Sequence, residues 1–95
     1  MRKIIYTLHL KLRLKIRNFP ENYPELIYKN PDVKFRDNFE KNKVAIKRLK
    51  YGNKFRNIMV AYEENNDKIN MITIHPISDE KIMNRTLSGR WTKYE

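Results

Sequence analysis

The sequence predicts a single α+β domain over residues 1–95, in the order β-α-α-β-β-β-β-α, an antiparallel meander with its helices packed on one face. Three observations carry that expectation. First, Ile58, Val60 and Tyr62 alternate with Met59 and Ala61, and Ile69, Met71 and Thr73 alternate with Ile72 and Ile74. Both runs are almost continuously apolar and rich in β-branched residues, the pattern of central strands buried on both faces. Second, the polar stretch Glu63–Lys68 between them and Gly52-Asn53 before them have the residues of hairpin connections. Third, a chain of 95 residues buries roughly 65% of its unfolded surface, enough for one sheet with helices on one side.

Taken in order, Lys3–Tyr6 is short and rich in isoleucine, an edge strand. From Leu8 two signals conflict. Leu8, Leu10, Leu12, Leu14 and Ile16 alternate with His9, Lys11, Arg13, Lys15 and Arg17, which is a strand period. Leucine, lysine and arginine are nevertheless good helix formers, and only Ile16 is β-branched. Wound as a helix, the segment puts Leu8, Leu12, Ile16 and Phe19 on one face, Leu10 and Leu14 on a second stripe, and His9, Arg13 and Arg17 in an i, i+4, i+8 row. We read Leu8–Phe19 as helix, closed by Pro20. Pro24 suits a first helical turn, Glu25 and Lys29 are spaced as an i, i+4 pair, and Asn30-Pro31 ends this second helix. Val33–Phe39 alternates as a strand, Glu40–Lys43 turns, and Val44–Tyr51 is the next strand. After Pro76, Ser78 or Asp79 caps a helix over Lys81–Leu87, and Gly89 stops it before a basic, aromatic tail.

The net charge is +10 and it is segregated. Residues 1–19 carry Arg2, Lys3, Lys11, Arg13, Lys15 and Arg17 without an acid, and residues 40–60 set Lys41, Lys43, Lys47, Arg48, Lys50, Lys54 and Arg56 against Glu40 alone. The acids collect at Glu63, Glu64, Asp67, Asp79 and Glu80. Such segregation is what a polyanion-binding face needs. Without cysteine there is no disulfide framework and no thiolate zinc site, as suits a reducing cytoplasm. The opening Met-Arg-Lys has the basic start of an export leader, but basic residues interrupt the leucines, so neither export nor membrane spanning is expected.

The only glycines, Gly52 and Gly89, make no phosphate-cradling loop, and two distant histidines make a metal or cofactor site improbable. What remains is basic and aromatic. The row of His9, Arg13 and Arg17 offers one imidazole and two guanidiniums, which suit proton transfer and phosphate binding, or else a solvated face. On a strand Lys47 and Tyr51 point away from Arg48 and Lys50, and Arg56 joins either pair. His75, at the end of a buried strand, reads first as a structural histidine. Arg85, Arg90 and Trp91 bring cations and a ring together, with Trp91 read as a seal on the core.

Tyr6-Thr7, His9, Arg13 and Arg17 together resemble the T-x-H-x-x-x-R-x-x-x-R helix start of small RelE/ParE-like domains, including BrnT-like toxins and uncharacterised archaeal relatives. Asn30-Pro31-Asp32, the run Lys47–Glu63 and Thr73-Ile74-His75-Pro76 follow in the same order. The resemblance covers roughly residues 4–77. It implies a RelE-like fold and a type II toxin that cleaves mRNA, often on the ribosome, without a metal or cofactor. It further implies an acidic antitoxin as partner. On that reading His9 or His75 is the general acid or base, Arg13, Arg17 and Arg56 hold phosphates, and Tyr51 stacks or donates. Lys47, Arg85 and Arg90 add backbone contacts. The rival readings are a non-catalytic RNA- or DNA-binding module and a basic subunit that docks an acidic protein.

Overall fold

A computed structural model describes residues 2–94. The chain runs β1 (Lys3–Tyr6), α1 (Leu8–Ile16), α2 (Tyr23–Lys29), β2 (Val33–Asp37), β3 (Asn42–Tyr51), β4 (Lys54–Glu64), β5 (Lys68–Pro76), α3 (Asp79–Leu87) and β6 (Trp91–Tyr94). Its six strands form one sheet in the order β1-β5-β4-β3-β2-β6. From β2 to β5 consecutive strands pair antiparallel, as the hairpin signals require. Gly52 has φ +66° in the tight β3–β4 turn, a conformation that favours glycine.

The sheet is mixed rather than purely antiparallel. β1 lies parallel to β5, with Ile4 opposite Ile69 and Tyr6 opposite Met71. Parallel pairing demands a long crossover, and the two helices and three strands between β1 and β5 supply it. The expected tail is instead a sixth strand: β6 pairs antiparallel with β2, Trp91 opposite Asp37 and Thr92 opposite Arg36.

Helix wins over strand for the leucine-rich segment. Thr7 caps α1, its Oγ1 accepting from Leu10 N at 3.2 Å while donating to the Met71 carbonyl at 2.8 Å. The cap thus fixes both where α1 begins and where it sits against β5. Leu10 and Leu14 are the buried stripe; Leu8, Leu12 and Ile16 are exposed, and Phe19, buried, lies past the helix end. In α2, Pro24 sits in the first turn and Lys29 reaches Glu25 at 3.0 Å. Ser78 caps α3, its Oγ accepting from Lys81 N at 3.1 Å.

Two apolar clusters occupy the two faces of the sheet. On the first, Leu10, Leu14, Phe19 and Ile27 pack on Ala45, Ile58, Val60, Tyr62, Ile69, Met71 and Ile74. On the second, Val44, Ile46, Met59 and Ala61 pack with Phe35, Ile77 and Trp91, and Ile82 of α3 lies against them. The helices therefore do not share one face. α1 and α2 cover the first, while α3 and Trp91 partly cover the second, which sequence reading leaves open. A β-bulge also alters β5: Tyr62 pairs with Met71 and Ala61 with Thr73, so Ile72 is the extra residue. Beyond it the alternation flips, and Ile74 joins Ile69 and Met71 instead of opposing them.

Candidate nucleic-acid interface

Ion pairing separates the free cations from the committed ones. Lys47 lies 3.6 Å from Asp32, and Arg90 lies 3.2 Å from Asp37. Among the described residues, Arg13, Arg17, Arg56 and Arg85 have no carboxylate within ion-pair distance. Those four, not Lys47 or Arg90, keep their charge available to an external anion.

The α1 row forms as the spacing requires. Arg13 Nε donates to His9 Nε2 at 3.4 Å, which leaves the imidazole proton on Nδ1. His9 is exposed and Arg13 half-buried. Arg17 follows at the C-cap; its Nε is buried and finds no acceptor among the described residues.

His75 is the second centre. It ends β5 beyond the stretch that β1 covers and pairs with Met59 across β4. Its Nδ1 lies 3.0 Å from the Pro76 carbonyl; a carbonyl only accepts, so Nδ1 carries the proton and Nε2 keeps a lone pair. Burial pushes the His75 pKa below its ordinary 6.5. The Pro76 carbonyl opposes that shift, while the cations of Arg17, Arg85 and Lys81 reinforce it. The result is a neutral imidazole at neutral pH, held in one tautomer by the Pro76 carbonyl.

Tyr51 does not join it. Its hydroxyl donates to the Arg17 carbonyl at 2.7 Å and its ring lies 4.5 Å from that of Phe19, so it fastens α1 to β3. Trp91 and Arg90 are likewise structural. Trp91 is buried, and its Nε1 donates to Asp37 Oδ2 at 3.0 Å. Arg85 stacks 4.9 Å above the Trp91 ring, and burial lowers its pKa. Burial alone would raise the Asp37 pKa, but donors from Glu40 N, Trp91, Arg90 and Phe39 N outweigh it and hold the carboxyl below the ordinary 3.8.

Register divides the sheet cations as the pleat requires. Lys47 pairs with Ile58 and Leu49 with Arg56, on the α1–α2 side; Arg48 pairs with Asn57 and Lys50 with Phe55, on the other. That second side, which His75 shares through Met59, holds a groove of about 400 Å³. Arg48, Phe55, Arg56 and Asn57 line it together with Pro76–Asp79, whose Asp79 carboxylate accepts from Asn57 Nδ2 at 2.6 Å. Phe55 is 62% exposed there, an aromatic face beside cations. Sequence reading missed Phe55 and Lys81. The signal for Phe55 was an aromatic opposite Lys50, next to the Gly52 turn; Lys81 was hidden as one more lysine in a helix.

Comparison with family models, curated proteins and solved structures finds no match. Among the described residues no helix is long and apolar enough to cross a membrane.

Proposed function

We propose that this chain is a RelE-like, RNA-directed protein: the toxin of a toxin–antitoxin pair and a metal-independent endoribonuclease whose base is His75. The observation that carries this reading is the His75 imidazole, anchored through Nδ1 to the Pro76 carbonyl and held neutral by burial, with the charges of Arg17 and Arg85 acting on it. The element order, with two helices ahead of a four-strand meander, supports the RelE-like assignment.

The chemistry follows from those groups. Neutral Nε2 takes the proton of a ribose 2′-hydroxyl, and the oxygen attacks the adjacent phosphorus. The bond from phosphorus to the 5′-oxygen breaks, giving a 2′,3′-cyclic phosphate and a 5′-hydroxyl that takes its proton from solvent. Arg17, Arg85 and Lys81 stabilise the extra negative charge on the phosphoryl oxygens. Arg13 and Arg56 hold flanking phosphates, His9 stays an accessory of Arg13, and an acidic antitoxin neutralises the basic face.

One observation favours the non-catalytic RNA-binding reading. The Tyr51 hydroxyl is committed to the Arg17 carbonyl, which leaves His75 without that phenol as its acid partner. End-mapping of single-stranded RNA incubated with the purified protein in a chelator decides between them. Cyclic-phosphate ends that disappear in His75→Ala support cleavage. Intact RNA with salt-sensitive binding moves the assignment to the binding module, and neither effect sinks both.

A further inference from the structure

The end of α1 builds a concavity. Asn18 takes a left-handed φ of +57°, and the chain turns back there. Phe19 N donates to the Leu14 carbonyl at 3.0 Å and Asn18 N to the Lys15 carbonyl at 3.2 Å. This two-bond stop satisfies the last carbonyls of the helix and sets the residue beyond the stop against its last turn. Leu14 and Phe19, both buried, thereby belong to one apolar cluster and line one groove of about 570 Å³. Tyr6, Leu8 and Leu12 complete its apolar lining. The wall is fixed by contacts of its own: the Tyr6 hydroxyl donates to the Glu21 carbonyl at 2.8 Å, and the Phe19 ring lies 4.5 Å from that of Tyr51. A preformed, mostly apolar cleft of roughly 300–1,000 Å³ is the usual container for a small ligand. Leu8 and Leu12 stand 76% and 50% exposed on it, apolar surface that the fold itself leaves in water. The polar groups are few. Lys11 and Lys15 are one helical turn apart, with no carboxylate within ion-pair distance among the described residues. Glu21 is the one acid in the lining, so two ammoniums face one carboxylate and the groove is net positive.

We propose that this groove binds a single-chain fatty carboxylate. The carboxylate head lies between the Lys11 and Lys15 ammoniums, and the alkyl chain covers Leu8, Leu12, Leu14 and the rings of Tyr6 and Phe19. Both halves of the lining are needed to choose this class. A neutral hydrocarbon would strip water from two ammoniums without giving them a counter-charge. A nucleic-acid strand would meet the lysines and leave the leucines wet. An anionic bilayer matches the charge, but its flat surface does not enter a concavity. No residue assigned above to RNA lines this groove, so the inference stands or falls independently of that reading.

The test is titration calorimetry of the full chain with octanoate, decanoate and dodecanoate below micelle formation, with dodecyltrimethylammonium as the opposite-charge control. Methyl NMR with dodecanoate locates the bound chain. The expected result is one chain per protein, with affinity rising up to about fourfold for each added methylene. Nuclear Overhauser contacts should join the alkyl chain to the methyls of Leu8, Leu12 and Leu14. Leu8→Gln/Leu12→Gln should lose about tenfold or more in affinity, and Lys11→Gln/Lys15→Gln about fivefold to tenfold. All four side chains are exposed, so both variants should melt with the wild type. Should either melt lower, the methyl contacts in the wild type decide alone. Absence of dodecanoate binding overturns the proposal, as does equal affinity for dodecyltrimethylammonium. Several chains bound without dependence on length, or methyl contacts away from α1, overturn it too. So does binding to phosphatidylglycerol vesicles when monomeric dodecanoate does not bind.

Discussion

The Tyr51 hydroxyl donates to the main-chain carbonyl of Arg17 at 2.7 Å and ties the end of β3 to the last turn of α1. That bond places the Arg17 backbone and fixes where α1 ends against the sheet. It also makes Tyr51 a fastener rather than a reagent. Tyr51→Phe is expected to cost about 0.5–1.5 kcal/mol of stability, a fall of several degrees in melting temperature, with cleavage or binding of RNA retained. Calorimetry with an RNA assay checks it. A variant that melts normally but loses more than tenfold in cleavage would make Tyr51 catalytic after all.

His75 gives a pH dependence with a definite sign. Its folded pKa lies below its ordinary 6.5, so between the two values the unfolded chain binds more protons. Stability therefore rises with pH across that window and is fully present above about 6.5. Melting temperature should fall as pH drops below 6.5, and His75→Gln should remove that part of the slope. On the proposed reading, cleavage by a neutral Nε2 should fall over the same acid range, and His75→Ala should lose about 10²–10⁴-fold in rate. RNA binding by that variant should change little.

On the proposed RNA-directed reading, charge pairing predicts which arginines contact the ligand. Arg17→Ala, Arg56→Ala and Arg85→Ala should each weaken single-stranded RNA binding and lower the salt slope by about 0.7. Lys47→Ala should not, since its charge already faces Asp32. Arg90→Ala should show up as lost stability, because Asp37 is buried and loses a charged donor. Affinity against salt concentration, measured for all five, sorts the two sets; equal slopes would show that pairing does not select the contacts.

Phe55 stands exposed in the groove beside Arg48, the geometry of a base-stacking platform. Phe55→Ala should reduce single-stranded RNA affinity by about 1–3 kcal/mol while Phe55→Trp preserves it, with both melts unchanged. Fluorescence anisotropy reads the difference; an unaffected alanine variant removes Phe55 from the interface.

Two carboxylates set the acid limit of the fold. Glu64 accepts from Lys43 Nζ at 2.7 Å, from the Tyr28 hydroxyl at 2.6 Å and from Arg2 at 2.7 Å. These donors outweigh burial and hold its pKa below the ordinary 4.5, while Tyr28 is pushed up to about 12 by burial and by Glu64. Asp37 is lowered in the same way. The stability these groups contribute is whole above about pH 4.5 and is lost as pH falls through their depressed folded values. Acid titration followed by circular dichroism should show a transition that Glu64→Gln makes shallower.

The two central strands were legible because they are largely buried, so Ile58–Tyr62 is apolar throughout and Ile69–Ile74 is interrupted only by Asn70 and Thr73. Turn chemistry at Gly52, the proline in α2 and the Ser78 cap were local, and local signals survive in sequence. The flip at Ile72 was not, because a bulge inserts one residue without changing composition. Nor was β6, four residues whose strand state comes from pairing with β2 and from the Asp37 carboxylate that holds Trp91. The candidate site divides similarly. The His9–Arg13 contact follows from helical spacing, whereas the burial of His75 and its bond to the Pro76 carbonyl come from the packed sheet.

The sequence by itself determined the periodic elements, the segregated positive charge and the double stripe of α1, since each depends only on residue type and local spacing. Tertiary structure alone decided that β1 runs parallel beside β5, that α3 covers the second face, and which cations are free. Those outcomes depend on which distant groups come within a few ångströms, and Coulombic pairing, burial and hydrogen bonding act only once they do.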